Sequence, residues 1–175
     1  LLTAFSLGIG AGSLLCERLS GGRLQLGLVP LGSLGLSVFG IDLYLASLAT
    51  MPALLTAGQL LLSEQFRILF DCLMLGMAGG VFVVPLFALI QTRAERTHLS
   101  RIIGGMNILN ALFMVVAALL AMVLLQAGLS VPEIFATTAM LNLAVLIALC
   151  LKQPEYPRAL WAWLTGLFRR PPLVE

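Results

Sequence analysis

Two carboxylates, Asp42 and Asp71, interrupt long apolar runs, and a charge in hydrocarbon is costly unless it is paired, hydrated or put to use. The chemistry open to such residues is to relay a proton. Asp42 lies about 18 residues into one predicted helix and Asp71 about five into the next, so at roughly 1.5 Å per residue both sit toward one interface, away from the midplane. That depth favours a hydrated or hydrogen-bonded structural carboxylate over a proton-coupling one.

Asn107 and Asn110 are three residues apart in a further apolar run and so share a helix face. They suit either the grip on a polar headgroup or interhelical hydrogen bonding, which contributes only about 1 kcal/mol per bond between membrane helices. For Asn142, in the last apolar run, the interhelical role is favoured. Gly8 with Gly12, and Gly76 with Gly80, have the small-xxx-small spacing that lets two backbones approach. Gly79 adds to the second cluster, and Pro85 follows it. Loss of one backbone donor at Pro85 predicts a bend or local opening there, suited to a helix that flexes beside a substrate cavity.

No catalytic constellation, metal site or cofactor motif accompanies these residues, and no enzymatic activity is expected of the chain. The single histidine, His98, lies in the charged stretch 91–98, and Cys16, Cys72 and Cys150 are far apart. The spacing fits inert thiols better than ligands or a redox pair. Phosphate-cradling glycine loops and basic-aromatic nucleic-acid patches are missing from the sequence, so no nucleic-acid partner is expected.

The elements that must position these side chains follow from composition. Of 175 residues, 60% are hydrophobic and 10% charged, with a mean hydropathy of +1.05. Soluble domains carry about 25% charged residues, so lipid is the expected solvent and membrane lipid the first partner. Apolar runs of the length a bilayer requires predict about five helices, over 1–15, 24–49, 66–90, 102–126 and 133–151. Strands would leave backbone groups unsatisfied in hydrocarbon, which makes the fold all-α, a polytopic helical bundle over 1–151. Segment 50–65, broken by Pro52 and Gly58, is too short to cross and is expected at the interface or in an outer loop. The tail, 152–175, sets Trp161 and Trp163 among Arg158, Arg169 and Arg170, a pattern for the headgroup layer.

Nine of the ten basic residues fall in the first and third connections and the tail; Arg67 alone lies on the other side. Cytoplasmic segments are enriched in Lys and Arg, which predicts an inner-membrane protein with a cytoplasmic C-terminus. The sequence opens at Leu1 inside an apolar run, and the expectation is a piece whose N-terminal part is missing.

The stretch Gly12-Ser13-Leu14-Leu15-Cys16-Glu17-Arg18-Leu19-Ser20-Gly21-Gly22-Arg23 resembles the loop signature of major facilitator transporters: Gly, Leu, an acid, a base, then Gly and further bases. Here Cys16 stands at the acid's place and Glu17 follows one position later. Gly76-Met77-Ala78-Gly79-Gly80-Val81-Phe82-Val83-Val84-Pro85, continuing to Gln91, is similar to the tenth helix of bacterial lysophospholipid transporters. The loop wording and the connector Pro154-Glu155-Tyr156-Pro157-Arg158 are similar to versions fused to a phospholipid acyltransferase.

The resemblance implies helices eight to twelve of a twelve-helix fold, lysophospholipid as substrate and an acyltransferase as fused or associated partner. It also implies a latch at Glu17, Arg18 and Arg23, and a cavity faced by the first, third and fourth predicted helices. On it, Asn107 and Asn110 are the candidate substrate-binding residues, and Gly76, Gly79, Gly80 and Pro85 the conformational ones. The alternatives are a proton-coupled drug or metabolite exporter, for which Asp42 or Asp71 would matter, and a non-transporting membrane anchor for an enzyme.

Overall fold

The computed structural model describes residues 1–20, 25–49, 66–95 and 97–168. Among them are six α-helices: α1 (Leu2–Ser20), α2 (Leu28–Ala49), α3 (Phe66–Arg93), α4 (Leu99–Gln126), α5 (Val131–Lys152) and α6 (Glu155–Phe168). Four of these, α2 to α5, are long and apolar enough to cross a membrane. The chain is therefore an all-α, multi-pass membrane protein. α1, expected as a fifth crossing, is not among the four, because its 19 residues reach that length only by including Glu17 and Arg18. It also runs five residues past its expected end, carrying Cys16 into a core with Leu28 and Val81.

Glycine sets how these helices meet. α1 and α3 run parallel and touch backbone to backbone: a methyl group added at Gly8 or Gly12 would collide with the main chain at Leu73 or Met77. From the other side, a methyl at Gly80 would lie 2.7 Å from the Ile9 carbonyl oxygen and 2.8 Å from the Ser13 nitrogen. α2 packs antiparallel on α3, where a methyl at Gly32 would come within 2.6 Å of the Phe82 nitrogen. Phe39 and Phe70 add an edge-to-face pair with centroids 6.3 Å apart. The opposite edge of α2 meets α5, where Gly40 faces Ala139. In cross-section the order is thus α1, α3, α2, α5.

α4 stands apart. None of its residues is buried, and its sparse contact is chiefly with α5. The turn between them needs Gly128, whose φ of +95° disfavours any side chain. α5 then starts on a capping box, with the Ser130 N–H and Oγ–H both donating to Glu133 Oε2 at 2.6 and 2.7 Å.

The tail forms a helix, α6, with Pro157 in its first turn, where no intrahelical donor is required. Its two tryptophans point to different surroundings. Trp163 turns inward, packs on the Cys16–Leu28–Val81 core and donates Nε1–H to the Leu19 carbonyl at 3.3 Å, whereas Trp161 is 70% exposed. Gly27 lets the start of α2 approach α6, since a methyl there would lie 2.7 Å from the Ala159 carbonyl. The expected interfacial segment 50–65, Gly21, Gly22, Arg23, Arg96 and residues 169–175 lie outside the described residues.

Candidate functional site

At the end of the bundle where α3 begins, α2 and α3 bring together three charged groups. Arg67 donates Nη2–H to Asp42 Oδ1, and its Nε–H points to Asp42 Oδ2 at 3.4 Å. Asp71 lies one turn further along α3, on the same helix face as Arg67 and so beside Asp42. The exposures of the three differ sharply. The Arg67 and Asp42 side chains are 51% and 34% exposed, while Asp71 is 1% exposed and its Oδ2 is buried without a hydrogen-bond partner. Of the expected hydrated or hydrogen-bonded carboxylates, Asp42 is the hydrated one, whereas the crossing of α2 and α3 shuts Asp71 away from water.

Beside this trio lies a cleft of about 400 Å³ between α1, α2, α3 and α5, lined by Phe5, Leu43, Cys72, Leu75, Phe135 and their neighbours. Leu43 and Cys72 each follow one of the two carboxylates in sequence, so charged groups and apolar wall share the same helical turns. The wall is apolar but for Ser47, whose hydroxyl donates to the Tyr44 carbonyl at 2.6 Å. The volume falls within the roughly 300–1,000 Å³ of ligand pockets.

A second polar cluster ties α5 to α2. Asn142 Nδ2 donates to the Ser33 carbonyl at 2.8 Å and to Ser37 Oγ at 2.9 Å, and Ser33 Oγ donates to Asn142 Oδ1 at 3.3 Å. Asn142 is thus interhelical glue. Replacing it with alanine is expected to lower stability by about 1 kcal/mol, read as the denaturant midpoint in detergent. An unchanged midpoint would show that the cluster contributes nothing.

Asn107 and Asn110 occupy one exposed face of α4 and have no side-chain partner among the described residues. They are not brought together with the α3 glycines. Gly76 and Gly80 sit in the α1 crossing, but Gly79 faces the other way and meets only Leu36 Cδ2, at 3.9 Å. α3 runs without interruption through buried Pro85, so the predicted local opening is not found; packing from α1 and α2 holds the helix where one backbone donor is lost. Glu17 and Arg18 are both exposed, and no ion pair joins them, because adjacent residues on a helix point about 100° apart.

Sequence reasoning missed the part played by Arg67, Ser33 and Ser37. Arg67 is the one basic residue on its side of the chain, itself a signal that it pairs with an acid there. Ser33 and Ser37 repeat at the i, i+4 spacing that puts both on one face. Among the described residues no group of three or more His, Cys, Asp or Glu side chains is placed to hold a metal ion. No family model, curated protein or solved structure matches the chain.

Proposed function

We propose that the chain is the C-terminal half of a major facilitator-type transporter that moves lysophospholipid across the bacterial inner membrane. The observation that carries the reading is the apolar cleft beside Arg67. A lysophospholipid has one acyl chain and a phosphate head. The cleft has room for an apolar chain and is lined by Ile68, the neighbour of Arg67 in sequence; a guanidinium at that end suits a phosphate. Few ionisable groups lie along the way to the other end, which suits an amphiphile better than a polar solute. Asn107 and Asn110, exposed on one face of α4, are the headgroup contacts nearer the basic end, and the missing half of the machine would cover that face. The basic end, with Arg18, Arg93, Arg101 and Lys152, faces the cytoplasm in this reading. There α6 would present its outer face to the acyltransferase that consumes the delivered lipid.

The test is uptake of labelled lysophospholipid by cells producing the full-length protein. Filling the cleft with Leu75→Trp is expected to lower uptake about tenfold, the equivalent of roughly 1.4 kcal/mol, in protein that accumulates normally. Changing Asn107 and Asn110 to alanine together is expected to lower it as well. Unchanged uptake in the first variant would remove the cleft from the reading, and in the second the headgroup contacts.

One observation favours a second reading. The unpartnered buried oxygen of Asp71 suits a cation-coupled exporter of drugs or metabolites, for which efflux would follow the transmembrane pH gradient and lysophospholipid uptake would be absent.

A further inference from the structure

We propose that Asp71 and Asp42 share a single proton, making the α2–α3 contact a proton-binding site whichever substrate the protein carries. An ionised carboxylate is an acceptor only, so two of them cannot bond to one another, and like charges at this range oppose joint ionisation. Yet Asp71 lies one turn along α3 from the arginine that holds Asp42, on the same helix face. Arg67 does not resolve the conflict, since its two hydrogen bonds both go to Asp42 and one guanidinium balances one negative charge. That leaves Asp71, shut off from water with Oδ2 unpartnered. A proton on Asp71 removes every difficulty together. The neutral carboxyl supplies the missing O–H donor to Asp42, and the trio becomes one cation with one anion.

Nothing on the neighbouring helices supplies that compensation instead. α1 has no acidic or basic side chain before Glu17. Besides Asp42, α2 offers Tyr44, an acid far weaker than a carboxyl. On α5 the acidic side chain at this end, Glu133, is engaged by Ser130. The route for exchange is short, because Asp42 and Arg67 are partly exposed while Asp71 is closed. The proton enters by way of Asp42 from the side of the membrane where α3 begins.

Dicyclohexylcarbodiimide, an apolar reagent that attacks protonated carboxyl groups, tests this on the full chain in liposomes, with the modified residue located by peptide mass spectrometry. Asp71 is expected to be labelled, with a rate that falls about tenfold per pH unit above the titration point of the pair, followed from about pH 5 to about pH 9. Exchanging sodium for choline is expected to change nothing. Asp71→Asn, a neutral isostere that still donates to Asp42, is expected to fold, to lose the label and to lose the pH dependence of unfolding contributed by the pair. A silent Asp71 in the wild-type chain, or one labelled equally at every pH, would overturn the shared proton. Protection by sodium at constant pH would overturn it in favour of a metal-cation site.

Discussion

Leucine at Gly12 is expected to part α1 from α3 and to cost about 3 kcal/mol or more, the upper range for overpacking a tight contact. Even a methyl group there runs into the Met77 backbone, and neither main chain can yield without losing its own hydrogen-bond ladder. Leucine at Gly80, which meets α1 from the facing side, is expected to act likewise. The control lies two residues from Gly12: a methyl at Gly10 has nothing within 4 Å, so Gly10→Leu is expected to be nearly silent. Accumulation in membranes and the unfolding midpoint in detergent read both. Equal losses for Gly10→Leu and Gly12→Leu would mean that helix propensity, not the crossing, governs these positions.

Alanine at Trp163 is expected to release α6 from the bundle. Removing a fully buried indole costs about 3–5 kcal/mol, and this half-buried one is expected to give about 2–3, including the bond to the Leu19 carbonyl. The matching change at Trp161, 70% exposed, is expected to leave docking intact. The chain has two tryptophans, so Trp161→Phe makes Trp163 the sole fluorescent reporter of the docked state. Proteolysis between α5 and α6 provides the second reading. A cleavage rate that stays at the wild-type level in Trp163→Ala would show that other contacts hold α6.

Helix type and approximate position were legible in the sequence because hydrocarbon leaves the backbone one solution. Apolar length alone therefore located α2 to α5 within a few residues. The glycine spacings were legible too, since Gly8, Gly12, Gly76 and Gly80 can be understood from one helix at a time. What depended on two helices was harder. That Asp71 is closed over, and Asp42 is not, follows from how α2 crosses α3, to which periodicity is blind. The inward turn of Trp163 and the outward turn of Trp161 depend on α6 meeting the end of α1, far away in sequence. Placement of Asn107 and Asn110 beside the α3 glycines was an inference from family resemblance, and in this chain α4 stands away from α1 and α3.

The contact of α1 with α3 has a mechanical side. Where bare backbone lies on bare backbone there are no interlocking side chains to climb over, so a small turn of one helix about the crossing meets little resistance, while pulling the two apart sacrifices the whole contact. Gly8, Gly12, Gly76 and Gly80 thus form a bearing, stiff to separation and smooth to rotation. A swing of α3 about that pivot moves the Arg93 end of the helix most, while Asp71, two residues from the Leu73 contact, stays near the axis.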